Sequence, residues 1–329
     1  MEQPARPAAD GIDADTATIW ALSDGRAGNA RQADALAQAL QAGPVRTCAL
    51  TPRWPWRAAA PLRMPGSDHA FGQGFASDLL TPPHVAIGCG RQAALATRLL
   101  RAHGARVVQV LDPRLDPRHW DLVVAPRHDH LQGGNVISTL GSLHPVDDAW
   151  LAQGRAAFPQ LAALPQPRTA VLVGASSRHA PLDTGTFERF ATQLLDMQAS
   201  QGGSILLTAS RRTPMAVRSA LRHRFAETTG VVWLGPEDGD NPYPGLLGWA
   251  DRIVCTPDSV NMMSEACATS VPVHVVEPQC ARGRLREFLH ALLGQGRIRA
   301  FDPALDPFDV TPLRETARVA AEVRLRLGV

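Results

Sequence analysis

The chain has no lysine: all 33 of its basic residues are arginine. That absence excludes Schiff-base catalysis, a Walker-A phosphate site and any Tyr–Lys hydride-transfer dyad. Tyrosine is nearly absent as well, with Tyr243 the single example. The five cysteines, Cys48, Cys89, Cys255, Cys267 and Cys280, are dispersed and form no C-x-x-C. An odd, scattered set argues for reduced thiols in a cytosolic protein rather than a disulfide framework. Residues 1–16 lack the apolar core of a signal peptide. No run approaches the ~20 apolar residues of a membrane helix. A soluble cytoplasmic protein is expected, with room for a peripheral role at the inner membrane. The 33 basic and 31 acidic residues nearly cancel, so no nucleic-acid partner is implied.

What is present is an alternation of strands and helices. The 329 residues, 45% of them hydrophobic, suffice for two domains. In the first half, strands are expected at 17–22, 45–50, 84–88, 106–111, 122–124 and 135–138. Helices are expected at 30–41 and 92–103. The first strand runs into Ser23-Asp24-Gly25-Arg26-Ala27-Gly28-Asn29, a loop that suits a phosphate or a sugar. Its glycines do not make the G-x-G-x-x-G dinucleotide fingerprint. Gly88-Cys89-Gly90-Arg91 is a second turn of the same kind. Residues 51–83 are long, rich in Pro and Gly, and either functional or disordered. Arg53-Trp54-Pro55-Trp56-Arg57 in that stretch suits a membrane surface or a lipid-linked acceptor. The preferred reading has both tryptophans covering the core. His128-x-His130 lacks further ligands at a telling spacing, so no metal is expected; a general base or a polar loop fits better.

A helical stretch at 150–163 and the breaker Pro165-Gln166-Pro167 mark a linker. The grammar then restarts, with strands at 169–173, 204–208, 231–233, 252–255 and 271–276. Helices are expected at 184–200, from Pro214 to about 225, and at 244–250, 260–269, 282–293 and 312–327. The stretch 251–276 organises the rest. A buried strand ends at Thr256-Pro257-Asp258-Ser259, where Asp258 or Ser259 caps the next helix. Helix starts at the carboxyl ends of parallel strands are anion sites. Val260, Met263 and Cys267 form its core stripe. Asp258, Asn261 and Glu265 share a face about 140° away, which puts Glu265 beside the core rather than in it. A solvated surface Glu is the plainer reading of that position.

Several runs together carry a family resemblance. They are Asp24-Gly25-Arg26-Ala27-Gly28-Asn29 with Gln32, Asp112-Pro113-Arg114, Pro126-x-His128-Asp129 with Asn135-Val136, and Ser210-Arg211-Arg212-Thr213-Pro214. To these are added Asn241-Pro242-Tyr243, Ala250-Asp251 and Thr256-x-Asp258-Ser259-x-x-Met262-x-Ser264-Glu265-Ala266. The combination resembles the mitochondrial-fission "elongated mitochondria" family, which is in turn similar to GT-B glycosyltransferases. Ser270 stands where the family pattern usually has Gly. The resemblance implies an α/β fold of two Rossmann-like domains facing across a cleft, with the last helix crossing back to the first domain. It also implies that Glu265 bonds the ribose hydroxyls and that the helix start supports the diphosphate.

The expected domains are an acceptor-side domain at 1–148, a linker at 149–167, a nucleotide-sugar domain at 168–298 and a returning segment at 299–329. A metal-independent transferase using a nucleoside-diphosphate sugar and no cofactor is the leading expectation, with a cell-envelope acceptor. Asp24 and His128, with Asp129 behind them, are the candidate bases. Gly25, Arg26, Gly28, Asn29, Gln32, Gly88 and Gly90 line the loops of that domain. Gly174, Ser177, Arg178, Ser210, Arg211, Asn241, Tyr243, Asp258, Ser259, Met262, Ser264 and Glu265 are expected on the donor side. Arg178 and Arg211 would neutralise the leaving diphosphate. Sugar epimerisation finds no support, because the dinucleotide fingerprint and the Tyr–Lys pair are missing. The competing expectation is a non-enzymatic adaptor that recruits a protein or membrane partner.

Overall fold

The computed structural model describes residues 18–329 apart from Leu182, so the expected start of the first strand at Ala17 and the signal-peptide reading of 1–16 lie outside the described residues. The chain divides into two compact units, one of residues up to 144 plus 315–329 and one of residues 145–314.

The first unit contains β1 (Ile19–Ser23), α1 (Ala27–Leu40), β2 (Val45–Ala49), α2 (Trp56–Ala59), α3 (Gln73–Asp78), β3 (Val85–Cys89), α4 (Arg91–Ala102), β4 (Arg106–Val110), β5 (Leu122–Pro126) and β6 (Val136–Thr139). All its strands are parallel, in the order β2-β1-β3-β4-β5-β6. Such a sheet is buried on both faces, and β1, β3 and β5 are buried at every position.

The second unit contains α5 (Asp148–Ala157), β7 (Arg168–Val173), α6 (Thr184–Gln201), β8 (Ser204–Ala209), α7 (Met215–Arg224), β9 (Gly230–Trp233), α8 (Tyr243–Trp249), β10 (Arg252–Cys255), α9 (Val260–Cys267), β11 (Val273–Val275), α10 (Arg284–Gly294) and β12 (Ile298–Ala300). Its parallel order is β12-β11-β10-β7-β8-β9. Taken by succession within the unit this is 6-5-4-1-2-3, the doubly wound dinucleotide-fold order. Within the stretch expected as a linker, α5 packs along α8.

The last helix, α11 (Thr316–Leu327), belongs to the first unit, as expected. Val319, Ala320 and Val323 of its apolar stripe are fully buried among residues of α1, β1 and β3. At about 1.5–3 kcal/mol per fully buried Val, the two valines contribute about 3–6 kcal/mol toward holding the helix there. The helix does not open at Pro312, however. Leu313 N–H donates to Cys267 O, and the Arg314 guanidinium donates to Ala268 O, so the backbone through 313–314 stays tied to the second unit. Helix begins only after Glu315, whose carboxylate accepts the Leu140 and Gly141 N–H groups in the first unit.

Two further expectations are corrected. Trp54 does not cover the core; it is 83% exposed, whereas Trp56 is half-buried with its indole N–H on Pro65 O. The helix after β1 starts three residues earlier than expected, so Ala27, Gly28 and Asn29 form its first turn rather than a loop.

Candidate functional site

A doubly wound sheet binds ligands at the carboxyl edge where strand order reverses. The second unit reverses between β7 and β10. Residues 174–178 leave β7 there, and residues 256–259 leave β10.

Asp258 joins the two loops. Its Oδ2 accepts the Ala175 N–H at 2.9 Å and its Oδ1 accepts the Thr256 hydroxyl at 2.7 Å. Thr256 Oγ1 in turn accepts the Gly174 N–H at 2.8 Å. A Cβ on Gly174 would lie 1.9 Å from Asp258 Oδ1, so only glycine fits. The Asp258 side chain is fully buried, with the exposed Arg212 guanidinium 3.6 Å away. Burial pushes its carboxyl above the usual range; the Ala175 N–H, the Thr256 hydroxyl and Arg212 oppose that shift. Of the two proposed caps for α9, Ser259 is the one observed: its Oγ accepts the Met262 N–H at 3.3 Å. Asp258 turns the other way and fixes the loop that faces the helix start.

Glu265 lies in the second turn of α9. It is not a solvated side chain: the residue is 5% exposed, and Tyr243 donates its hydroxyl to Oε2 at 2.6 Å. Asn241 Oδ1 accepts the Tyr243 N–H at 3.1 Å and sets the start of α8 that carries the tyrosine. The helical wheel placed Glu265 off the core stripe, but that face is covered by residues more than twenty positions upstream. Ser264 is also fully buried, and Met262 is half-buried.

Exposed cations surround this edge. Arg178, Arg211 and Arg212 are all exposed. Arg178 Nε donates to His179 Nε2 at 2.8 Å. Ser177 is spent on its own turn, its Oγ accepting the Ala180 N–H. Ser210 Oγ and Thr213 Oγ1 are 3.1 Å apart, and Thr213 Oγ1 also donates to Gly174 O. A cavity of about 200 Å³ between the starts of α6 and α7 reaches Gly174; its walls include Phe187, Phe190 and Val217 and are mostly apolar.

The first unit reverses between β1 and β3. Here Asp24 Oδ1 accepts the Arg26 N–H and the Asn29 carboxamide, at 3.2 and 3.0 Å, and Arg26 Nε stands 3.5 Å from Oδ2. Gly25 and Gly90 have φ of +77° and +88°. A Cβ on Gly90 would lie 2.5 Å from Asn29 Nδ2, so the carboxamide fills the space over that glycine. Gln32 is buried and donates to Gly28 O. Sequence reading overlooked that Gly88-x-Gly90-x-x-Ala93 has the glycine spacing of a dinucleotide turn. Its glycines serve internal packing: a Cβ on Gly88 would meet Thr97 Cγ2 at 2.6 Å.

His128 and Asp129 sit together, half-buried, in the short turn after β5. The sheet order puts β3 and β4 between β1 and β5. The strand ends that lead into Asp24 and His128 are thus about 14 Å apart, at ~4.8 Å per strand. Among the described residues no three His, Cys, Asp or Glu side chains cluster as metal ligands. The Cys89, Cys255 and Cys267 thiols are fully buried, which holds them protonated; for Cys267 the value is pushed up to about 11. None of the three is a nucleophile.

Fold and switch points define an α/β protein of two doubly wound parallel sheets, a GT-B-like fold. Residues 27–327 match the family described as Mitochondrial fission ELM1, and the chain belongs to that family. It is 30% identical to the mitochondrial fission protein ELM1 of Arabidopsis thaliana over 75% of this chain, and the match spans 64% of that relative's length. Among solved structures it is similar to UDP-N-acetylglucosamine 2-epimerase from Rickettsia bellii, with a TM-score of 0.52, 10% identity, and coverage of 94% of this chain and 95% of that one. It is similar also to MnaA of S. aureus, solved with UDP, with a TM-score of 0.50, 13% identity and coverage of 95% and 97%. At such identities the likeness is one of fold. No helix among the described residues is long and apolar enough to cross a membrane.

Proposed function

We propose that the second unit binds a nucleoside-diphosphate sugar and that the protein is a GT-B-type glycosyltransferase. The single observation that carries this reading is the β7/β10 switch point, where a capped helix start, the buried Tyr243–Glu265 pair and three exposed arginines share one sheet edge. The roles follow from chemistry. The first N–H groups of α9 and the 174–178 loop offer donors to a diphosphate. Arg178, Arg211 and Arg212 compensate the charge that grows on the departing diphosphate. Glu265, oriented by Tyr243, accepts hydrogen bonds from the ribose hydroxyls. Asp258, having no exposed surface, holds the loop and does not touch the donor. The acceptor hydroxyl needs a base; Asp24 and His128, at the carboxyl edge of the first sheet, are the proposed alternatives. The scheme calls for no cofactor, and a cell-envelope acceptor is part of the proposal.

The adaptor reading, which the relative's printed name favours, asks for none of these polar groups. The printed name of the Rickettsia bellii protein puts epimerisation on the same fold, and the lack of a Tyr–Lys pair speaks only against epimerases that move a hydride. Thermal melts with uridine, adenosine, guanosine and cytidine diphosphates separate binding from adaptor. A ligand at 100 times its Kd adds about 2.7 kcal/mol to stability. One nucleotide should do so, and Glu265→Gln should weaken it about tenfold, one lost charge-assisted bond at ~1.4 kcal/mol per decade. No stabilisation by any of the four would overturn the donor site. Transfer to water or an acceptor, against interconversion of the free sugar nucleotide, then separates transferase from epimerase.

A further inference from the structure

The segment between β2 and β3 has two faces of opposite character. Its inner face is built in. Arg91, at the start of α4, donates to the carbonyls of Arg57, Ala58 and Ala60, and Arg98 donates to Pro61 O at 2.7 Å. Arg53 N–H donates to Ala70 O, and Ser67 Oγ closes a turn with the backbone of Met64. Ala60 is buried, and Trp56 packs against the α4 face of the sheet. Its outer face carries Trp54, Leu62 and Met64, which are 83%, 52% and 40% exposed. Arg53, Arg57 and Arg63 are exposed between them and form no ion pair with a carboxylate among the described residues. No acidic residue occurs between Asp34 and Asp68. A pinned strap therefore holds a large aromatic and two long apolar side chains in water, with arginines and no carboxylate in the sequence around them from 35 to 67.

We propose that this strap docks the protein on an anionic lipid bilayer. The indole, Leu62 and Met64 would enter the headgroup boundary, and the three arginines would pair with lipid phosphates. Three apolar side chains are too few for the ~1,200 Å² of a stable protein interface, whereas interfacial insertion needs only such an anchor. The missing carboxylates match a negative surface and would serve no purpose against a neutral one. The proposal needs neither nucleotide nor turnover, so it stands or falls apart from the transferase reading.

The test is co-sedimentation of the full chain with vesicles of phosphatidylglycerol and phosphatidylcholine, against phosphatidylcholine alone. Partitioning should be about a hundredfold stronger on the anionic vesicles, as three arginines near such a surface supply, and should fall with added salt. Trp54→Glu with Leu62→Glu should reduce it at least about tenfold, because the apolar anchor is lost. Leu325→Glu, equally exposed at 84% but on α11, should change nothing. Melting curves show that each variant is folded; both sites lie on the surface. No binding to anionic vesicles, or binding indifferent to the Trp54/Leu62 pair, would overturn the proposal. So would a dimer in sedimentation equilibrium that the same pair abolishes, since a second copy would then be the occupant.

Discussion

The two units reverse strand order at equivalent places and close the gap by different means. In the first, the space over Gly90 is filled by the end of a side chain, the Asn29 carboxamide, itself tied to a half-buried Asp24. In the second, the space over Gly174 is filled by Asp258, fully buried and bonded to backbone and hydroxyl on both loops. A carboxamide on a rotatable stem moves aside at small cost. A desolvated carboxylate does not move, because each bond it leaves strands a buried donor. The second switch point is thus a fixed frame for the start of α9, and the first is filled only by the end of a rotatable side chain.

The sharpest way to break that comparison is to add the same methyl to both glycines. Gly174→Ala forces the Cβ into Asp258, and the loops must part, at about 3 kcal/mol or more. Gly90→Ala meets only the end of the Asn29 side chain and is strained by its φ of +88°, at about 1–3 kcal/mol. Denaturant melts read both. Equal losses would mean that Asp258 yields as readily as Asn29, and the frame would be no frame.

Much of this was legible, for identifiable reasons. The strand–helix alternation, a cap for α9 at Asp258 or Ser259 and the apolar stripe of α11 all depend on local signals: apolar runs, a capping residue, a stripe at helical spacing. The return of α11 to the first unit was implied by the family resemblance. What was not legible depended on distant partners. Glu265 reads as a surface residue from its own helix, and only the placement of α8 shows that Tyr243 buries it. Pro312 reads as a helix start until Leu313 and Arg314 are found bonded to the end of α9. α1 gives no capping signal, since its N-cap is Arg26 without a side-chain bond, so its first turn resembled a loop. β12 is three residues long with an arginine in the middle, too short to show a period. The expectation for Trp54 rested on the general rule that aromatics are covered, and at 83% exposure this residue is the exception to it.

A second, smaller effect separates the two loops by pH. Asp258 has its carboxyl raised by burial, so ionising it opposes folding. Its favourable contribution is complete below the unfolded value, near 3.8, and is lost as pH rises through the raised folded value. Asp258→Asn does not titrate. The stability of the wild type relative to this variant should therefore grow as pH falls from 7 toward 4. Denaturant midpoints at steps of pH measure it. A difference that shrinks on acidification would mean that the ionised form is the better accommodated one, held by the Ala175 N–H and Arg212.

The smallest effect asks whether the Tyr243–Glu265 bond is part of a binding site or only of a core. Tyr243→Phe removes one oxygen and leaves the ring packing intact. The 2.6 Å Tyr243–Glu265 hydrogen bond is short and, on a residue 5% exposed, shielded from water, so its loss should cost about 1–2 kcal/mol of stability. The matching deletion in the first unit, Asn29→Ala, should cost less, about 0.5 kcal/mol, because water can replace the carboxamide on a half-buried Asp24. If the bond only stabilises the unit, nucleotide affinity at a temperature where both proteins are folded should be unchanged in Tyr243→Phe. If it aims Glu265 at a ribose, affinity should fall about three- to tenfold for a nucleoside diphosphate and stay the same for inorganic pyrophosphate, which has no ribose to lose. Titration of both ligands into both proteins decides this. A parallel loss for pyrophosphate would place the defect in the loop frame rather than at Glu265, and the ribose role would go with it.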